Sequence, residues 1–289
     1  MFKGTYTALV TPLNADGSVD YAGLRTLVEE QIAGNVDGLV PVGTTGESPT
    51  LTVEEHNKVI AEVIQIAAGR VKIIAGTGGN STAEALNLTR HAIAAGADAT
   101  LQVTPYYNKP NPEGIYRHFA TVADLGLPVV LYNVPGRTGR EIPLPVVERL
   151  AKVPNIAAIK EAAGDVARVS AIKDFCDLDV FCGDDALTVP MISVGACGVI
   201  SVASNLLPAE VAAMVNAALA NDFATAAALH RRLYPLFRDL FIDANPIPIK
   251  AAMAMCGKGL EVYRLPLCEM PAPLKAKLRE TLVRCGALK

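Results

Sequence analysis

Residues 128–162 read PVVLYNVPGRTGREIPLPVVERLAKVPNIAAIKEA, and this stretch predicts one complete strand–helix–strand unit. Two short apolar runs, 128–132 and 156–160, are bounded by proline, glycine and asparagine, as strands commonly are. A helical segment, 145–151, lies between them. Because the runs are almost continuously apolar, we expect strands that are covered on both faces, as in a parallel sheet.

The same alternation of strand and helix continues along the chain. Eight strands are predicted, at 6–10, 38–42, 72–76, 99–103, 128–132, 156–160, 180–183 and 198–202. Helical segments lie between them, including 21–33, 53–68 and 82–95. Thr52 and Ser81 precede two of these helices and have a glutamate three residues later, and Gly69 and Gly96 stand where helices should end. Eight such units in a chain of this length predict an α/β fold of the (β/α)₈ barrel type.

About 80 residues follow the eighth strand, and they read as helices at 208–220, 223–241, 248–255 and 273–284. One helix would complete the barrel, so the remainder should form a small helical extension. No serine- or glycine-rich linker precedes it. We therefore expect residues 1–222 to form the barrel that carries the active site, and residues 223–289 to pack on it as a C-terminal helical extension.

The composition narrows the class of protein. The chain has 289 residues, 51% of them hydrophobic, and a formal net charge of −3 without basic blocks, which disfavours disorder and nucleic-acid binding. The longest apolar runs are too short to span a membrane. The first residues resemble no export signal, and six scattered cysteines without CxxC spacing indicate free thiols, so we expect a cytoplasmic protein. Four ungrouped histidines make a metal site improbable.

Lys160 ends the sixth predicted strand and is the only charged residue in that apolar run. Burial disfavours the charged form of an amine, so this lysine should be neutral more often than a surface lysine. A neutral amine attacks a ketone carbonyl and forms a Schiff base, which acts as an electron sink. The alternative is a structural lysine at a strand end whose ammonium group extends to water.

Barrel enzymes have their active sites at the carboxyl ends of the strands, and polar residues collect at these ends here. Besides Lys160, they lie in GTTGES (43–48), TPYYN (104–108), YNVPGRTG (132–139), GDD (183–185) and IS (200–201). Tyr132 is on the strand next to Lys160 and could transfer protons, and Arg137 has a fork that suits a carboxylate. Each feature has a structural alternative when it is taken singly: residues 43–48 could be an ordinary glycine-rich turn, Tyr132 a core tyrosine and Arg137 a solvated arginine. Their common location favours an active site.

These motifs, together with IKEA (159–162), GVIS (198–201) and NPIP (245–248), strongly resemble the dihydrodipicolinate synthase family, which belongs to the N-acetylneuraminate lyase-like class I aldolases. The resemblance runs nearly end to end. It implies a lyase without metal or organic cofactor that condenses pyruvate with aspartate semialdehyde to 4-hydroxy-tetrahydrodipicolinate, the first committed step of diaminopimelate and lysine biosynthesis. In that case Lys160 forms an imine with pyruvate, and further roles follow for these residues: Thr45, Ile200 and Gly183 in pyruvate binding, Tyr132, Thr44 and Tyr107 in a proton relay, and Arg137 in binding the aldehyde's carboxylate.

The resemblance also implies a homotetramer of two tight dimers, in which Tyr107 reaches the neighbouring subunit's site. Some members are inhibited by lysine at the dimer interface. The positions that align with that pocket are Ser48, Pro49, His56, Asn80, Glu84 and Tyr106. Val53 stands where inhibited members often have a histidine, which leaves the strength of inhibition open.

Two other functions fit parts of the pattern. An N-acetylneuraminate or 2-keto-3-deoxy sugar acid lyase would keep the lysine and the tyrosine, but would need hydroxyl-binding residues where Arg137 stands. A barrel that binds an anion without catalysis would need none of this chemistry. Trapping pyruvate with borohydride separates the enzymes from the non-catalytic barrel.

Overall fold

Eight parallel strands close into a barrel in the order in which they occur along the chain. The computed structural model describes residues 2–288. The strands are β1 (Gly4–Ala8), β2 (Gly38–Val40), β3 (Lys72–Gly76), β4 (Ala99–Val103), β5 (Val129–Asn133), β6 (Ile156–Glu161), β7 (Asp179–Cys182) and β8 (Gly198–Ser201). The predicted (β/α)₈ barrel is confirmed.

Helices connect and surround the strands. They are α1 (Tyr21–Ala33), α2 (Val53–Ala67), α3 (Thr82–Ala95), α4 (Pro112–Ala123), α5 (Pro135–Thr138), α6 (Leu144–Leu150), α7 (Ala167–Phe175), α8 (Thr188–Ser193), α9 (Pro208–Leu219), α10 (Phe223–Asp239), α11 (Ile247–Met255) and α12 (Ala272–Arg284). Among residues 2–288, no helix is both long and apolar enough to cross a bilayer.

Local signals account for most helix ends. Thr52 and Glu55 form the predicted capping box at the start of α2. The Glu55 N–H donates to Thr52 Oγ1 at 3.2 Å, and the Thr52 N–H donates to Glu55 Oε2 at 2.9 Å. Gly96 ends α3 in the left-handed conformation, as predicted. The α2 helix ends earlier than predicted, because Ala68 already adopts a left-handed φ of 48°.

The β3 and β4 strands have the predicted bounds, the ends of β5, β6, β7 and β8 differ from the prediction by one residue, and β1 and β2 differ by two. The β1 strand begins two residues earlier and ends at Ala8, whereas β2 ends at Val40 instead of residue 42. Pro41 has no N–H to donate to the sheet, and Val42 has a φ of 55°, which is incompatible with an extended strand. The chain therefore leaves the barrel early at β2 and starts the turn that holds two candidate site residues.

The barrel closes where β1 meets β8, and glycine is required there. Gly4 pairs with Gly198, and a Cβ atom on Gly198 would lie 2.0 Å from the carbonyl oxygen of Gly4. Inside the barrel, the Tyr6 ring packs edge to face against two other rings. Its centroid lies 6.4 Å from that of Phe2 and 5.1 Å from that of Phe181. The three rings fill the interior below the carboxyl ends of the strands, so the barrel is a packed core with one open end.

The helices after α9 pack against the barrel's outer layer. The α10 helix contacts α9 and α12, and α11 contacts α12. Asp239 at the end of α10 is fully buried and accepts a hydrogen bond of 2.6 Å from Thr281 on α12. The segment between α10 and α11 reaches the open end of the barrel. The proposed division into residues 1–222 and 223–289 falls at the start of α10.

Candidate active site

A cavity of about 130 Å³ lies at the carboxyl ends of the strands. It is lined by the following residues: Ala8, Val40, Gly43, Thr44, Thr45, Leu101, Tyr132, Val134, Arg137, Lys160, Ala162, Gly183, Asp184, Val202, Phe241 and Asn245. Six of the eight residues predicted for catalysis and substrate binding are in this wall. The other two, Tyr107 and Ile200, lie elsewhere.

Lys160 and Tyr132 are direct neighbours across β5 and β6. The Lys160 amine lies 4.4 Å from the centroid of the Tyr132 ring, and the side chains are only 5% and 6% exposed. An amine that is shielded from water on a strand, with an open cavity on one side, is placed to attack a carbonyl compound in that cavity. The structural alternative, in which the amine extends into bulk water, does not fit this burial.

Glu161 holds the two strands in this register from the outer side of the barrel. Its carboxylate accepts from Asn133 Nδ2 at 2.7 Å and from Arg168 Nε at 2.9 Å, and it is completely buried. Asn133 follows Tyr132 and Glu161 follows Lys160, so the bond between them joins the ends of β5 and β6. Because strand neighbours alternate between the faces of the sheet, Lys160 then points inward.

Gly183 leaves the space that the Lys160 side chain occupies. A Cβ atom at this position would lie 2.6 Å from the Ala162 Cβ and 3.0 Å from the Lys160 Cε. Both contacts are shorter than van der Waals distances, so a larger residue would displace the lysine. The structure thus gives Gly183 a steric reason to be glycine beside Lys160.

The turn at residues 43–48 carries Thr44 and Thr45 into the cavity. Left-handed φ values of 55° at Val42 and 56° at Glu47 bend the chain sharply on either side of the threonines. Thr45 is 3% exposed, and its Oγ1 accepts a hydrogen bond of 3.0 Å from Asn245 Nδ2. Thr44 and Thr45 therefore line the same cavity as Lys160.

Asn245 is a site residue that sequence reasoning missed. It lies between α10 and α11, it lines the cavity, and its backbone oxygen accepts a hydrogen bond of 2.9 Å from Arg137 Nη2. Asn245 thereby connects Arg137, on the short helix α5, with Thr45. The motif NPIP (245–248) was a signal in the sequence, but nothing in it predicted a contact with residues more than 100 positions away.

Ile200 lies below the cavity, within the packed interior of the barrel, and Val202 takes its place in the wall. Asp185 fixes the end of β8 at this point. Its carboxylate accepts a hydrogen bond from the Ser201 hydroxyl. It also accepts hydrogen bonds of 3.0 Å from the N–H groups of Val202 and Ala203. Complete burial raises the pKa of Asp185, whereas these hydrogen bonds act in the opposite direction.

Tyr107 does not line this cavity. Its side chain is 90% exposed, and its backbone has a left-handed φ of 68°, an uncommon conformation for a bulky residue. Tyr106, its neighbour, is half-buried, and burial raises the pKa of its phenol. The two adjacent tyrosines therefore point into different surroundings.

A second cavity, of about 300 Å³, lies on the other side of the 43–48 turn. The six residues predicted for the effector pocket all line it: Ser48, Pro49, His56, Asn80, Glu84 and Tyr106. Val53 also lines it and is 49% exposed. Burial lowers the pKa of His56, so its imidazole is neutral at pH 7.

The remaining candidate chemistry is sparse. The described part of the chain, residues 2–288, contains no cluster of three or more His, Cys, Asp or Glu side chains that could hold a metal ion. All six cysteines are free. Burial raises the pKa of the Cys182 and Cys197 thiols to about 12, so neither is a nucleophilic thiolate at neutral pH.

A buried lysine amine at the carboxyl end of a barrel strand, beside a tyrosine, is the arrangement of the class I aldolases. Comparison with known proteins gives the family within this class. The model of the dihydrodipicolinate synthetase family matches residues 1–284. The chain belongs to this family.

Individual relatives agree with this assignment. The 4-hydroxy-tetrahydrodipicolinate synthase of Alcanivorax borkumensis is 51% identical, over 100% of this chain and 99% of its own. The chloride-inhibited dihydrodipicolinate synthase of Acinetobacter baumannii, solved in complex with pyruvate, is 43% identical with a TM-score of 0.98, and each chain is covered completely. The enzyme of Cyanidioschyzon merolae, solved with lysine bound, is 40% identical with a TM-score of 0.96, over 99% of each chain.

Proposed function

We propose that this protein condenses pyruvate with aspartate semialdehyde to 4-hydroxy-tetrahydrodipicolinate, through an imine on Lys160. The observation that carries the proposal is the position of the Lys160 amine, buried in the cavity wall with the Tyr132 ring 4.4 Å away. The full-length identity of 51% with an enzyme of that name supports the choice of reaction. The protein then works in diaminopimelate and lysine biosynthesis.

The reaction begins with the attack of the neutral Lys160 amine on the ketone carbon of pyruvate. Protons move from nitrogen to oxygen, water leaves, and the imine forms. Loss of a methyl proton gives the enamine, which attacks the aldehyde carbon of the second substrate. The amino group of that substrate then attacks the imine carbon, closes the ring and releases Lys160 unchanged. One water molecule leaves overall, and no step in this proposal needs a metal or an organic cofactor.

Tyr132 and Thr44 are positioned to move these protons. Both line the cavity, and Tyr132 is next to the reacting amine. In our proposal the phenol takes part in each transfer between nitrogen and oxygen, and Thr44 extends the relay. Tyr107 completes it from a neighbouring subunit. Its 90% exposure in a single protomer supports this role, since a side chain that enters a partner's site must leave its own surface.

In our proposal, different residues bind the carboxylates of the two substrates. Thr45 and backbone groups near Ile200 hold the pyruvate carboxylate, and Gly183 gives the imine room. Arg137 receives the carboxylate of aspartate semialdehyde, because its guanidinium group lines the cavity and can bind both oxygens. The bound pyruvate in the Acinetobacter baumannii relative supports pyruvate as the first substrate.

We propose further that lysine binds in the second cavity as a feedback inhibitor. The cavity combines a carboxylate for the lysine ammonium group, on Glu84, with hydroxyl and amide groups from Ser48, Asn80 and Tyr106. The lysine-bound relative from Cyanidioschyzon merolae supports this. Val53 places an apolar side chain in the wall, so inhibition should be weaker than with a histidine there.

The proposed assembly is a homotetramer of two tight dimers in the cytoplasm. A tight dimer explains the exposed Tyr107, and six free cysteines suit a reducing compartment. Residues 223–289 act in this proposal as an extension of the barrel rather than as a separate domain.

The substrate is tested by a direct comparison. Purified protein should consume pyruvate and aspartate semialdehyde together far faster than it releases pyruvate from N-acetylneuraminate or a 2-keto-3-deoxy sugar acid. The guanidinium group of Arg137 in the cavity favours an acidic aldehyde over a polyhydroxylated chain. Preferential cleavage of a sugar acid would replace the proposed reaction by that of a lyase on the same scaffold.

A further inference from the structure

The turn that carries Thr44 and Thr45, together with the two residues that follow it, is attached to the C-terminal extension at three points. Asn245 donates to Thr45 Oγ1 at 3.0 Å, Lys250 on α11 forms an ion pair with Glu47, and Arg264 Nη1 donates to the Thr50 backbone oxygen at 2.8 Å. All three partners come from residues about 200 positions further along the chain. The barrel supplies one contact, from Thr11 Oγ1 to the Gly46 oxygen at 2.7 Å.

The Glu47–Lys250 pair is the most deeply buried of these contacts. Each side chain is 2% exposed. The Tyr263 ring lies over the Lys250 amine, with its centroid at 5.3 Å, and the Arg264 N–H approaches the second Glu47 oxygen at 3.5 Å. Burial lowers the pKa of Lys250, while the Glu47 carboxylate acts to raise it. Removing either charge alone would leave the other one buried without a partner.

Stability alone is a weak reason for such a pair. Taking two charges out of water is costly, and well-packed apolar or neutral residues of the same size are often equally stable. A buried charge pair does select one backbone conformation, because both partners must meet. Glu47 needs such selection, since it has a left-handed φ of 56° that few residues adopt without support.

Glu47 also lies at the boundary between the two cavities. Thr44 and Thr45, on its amino side, line the cavity with Lys160, and Ser48 and Pro49, on its carboxyl side, line the second cavity. A carboxylate fixed at this point sets the orientation of the residues on both sides. The pair itself lines neither cavity.

We infer that Glu47 and Lys250 are positioning residues: their buried ion pair uses the C-terminal extension to hold Thr44 and Thr45 in place for the reaction at Lys160. The inference rests on the proposed function for the roles of the two threonines. Loosening the turn should affect pyruvate binding through Thr45 and proton transfer through Thr44. It should leave Lys160 in place, because β6 is not attached to this pair.

The test uses the double variant Glu47→Gln/Lys250→Met, which removes both charges and leaves no unpaired one. Its matched control is Glu30→Gln/Lys258→Met, which removes another ion pair between the extension and the barrel layer, 2.6 Å long and partly exposed. We expect the double variant to fold, with a melting temperature within about 5 °C of the parent. Its KM for pyruvate should rise about tenfold, with a lower kcat, because small displacements of positioned groups are costly. The control should keep the parent's kinetic constants.

Hydrogen exchange supplies a readout that does not depend on the reaction. Amides of residues 43–50 should exchange faster in the double variant than in the parent, whereas those of β6 should be unchanged. Parent-like kinetics and exchange would overturn the inference, and so would a double variant that fails to fold, since the pair would then serve the whole structure. If the parent does not react with pyruvate, the proposed function fails, but the exchange comparison still tests the role of the pair in the turn.

Discussion

The Lys160 amine lies 4.4 Å from the centroid of the Tyr132 ring, because the two residues pair directly in the register of β5 and β6. The same register pairs Asn133 with Glu161, and their side chains bond on the outer face at 2.7 Å. The β5–β6 pair thus places Lys160 and Tyr132 inside the barrel and the hydrogen bond between Asn133 and Glu161 on its outer face. The Tyr132 ring therefore lies beside the nitrogen to which the substrate becomes attached in our proposal.

Tyr132→Phe should therefore slow turnover about 10²- to 10³-fold, within the usual range for a general acid–base group. The phenyl ring keeps the packing against Lys160, so pyruvate should still be bound. Steady-state kinetics with both substrates measures the effect. Tyr116→Phe is the matched control, since that ring lies on the outside of the barrel under Arg149, 3.9 Å from the guanidinium carbon. An undiminished kcat for Tyr132→Phe would remove it from the relay.

Arg137→Ala should lose about 10²-fold in kcat/KM for aspartate semialdehyde, because a charge-assisted contact to a carboxylate is worth a few kcal/mol. Trapping of pyruvate on Lys160 should persist, which separates the two substrate sites. Arg140→Ala serves as the control, because Arg140 is an exposed neighbour outside the cavity wall. If the aldehyde kinetics of Arg137→Ala matched those of the parent, another group would have to bind that carboxylate.

Local sequence carried much of this account. The β-branched runs at 72–76 and 99–103 coincide with β3 and β4, and Lys160 stood out because a charge is unusual in an apolar strand. Active sites of such barrels lie at the carboxyl ends of the strands, which predicted a common location for Thr44, Thr45, Tyr132 and Arg137. All four line the cavity.

Contacts between distant residues were not predictable in this way. Asn245 reaches Thr45 across 200 positions, and Lys250 reaches Glu47 across 203. Neither pair has a periodic or compositional signal, since each depends on how the C-terminal helices pack on the barrel. The early end of β2 was missed for a related reason: the left-handed φ of Val42 is imposed by its surroundings, and valine does not favour it.

Glu84→Gln should weaken inhibition by lysine about 10-fold or more, because it removes the negative charge that in our proposal faces the ligand's ammonium group in the second cavity. Activity without lysine should be unchanged, since Glu84 does not line the cavity with Lys160. Inhibition curves for parent and variant give the result. Val53→His is the complementary change, and it should strengthen inhibition. Equal sensitivity of parent and Glu84→Gln would argue against this cavity as the effector site.

His118 should make the protein less stable in mild acid. Burial lowers the pKa of the His118 imidazole from the ordinary 6.5 to about 4. Between these two pH values the imidazole stays neutral in the folded protein, whereas in the unfolded chain it takes up a proton. The free energy of unfolding should therefore fall as the pH drops from about 6.5 towards about 4, by up to about 1.4 kcal/mol per pH unit. His118→Gln can keep the bond to Thr82, 2.9 Å in the parent, and should flatten this dependence.

Denaturant unfolding at several pH values measures the effect. His91→Gln is the control, because His91 is exposed on α3 and its replacement should leave the slope unchanged. Buried His56 acts in the same direction as His118, so some acid dependence should remain in His118→Gln. A variant with the parent's full slope would show that His118 does not contribute.

The most direct measurement is reductive trapping. Incubation with pyruvate and borohydride should add one reduced pyruvyl group to each chain, confined to the peptide that contains Lys160, and Lys160→Ala should take up none. Lys250, which is also deeply buried, should stay unmodified in the same digest, since it lines neither cavity. An unmodified Lys160, or a label on any other residue, would contradict the account.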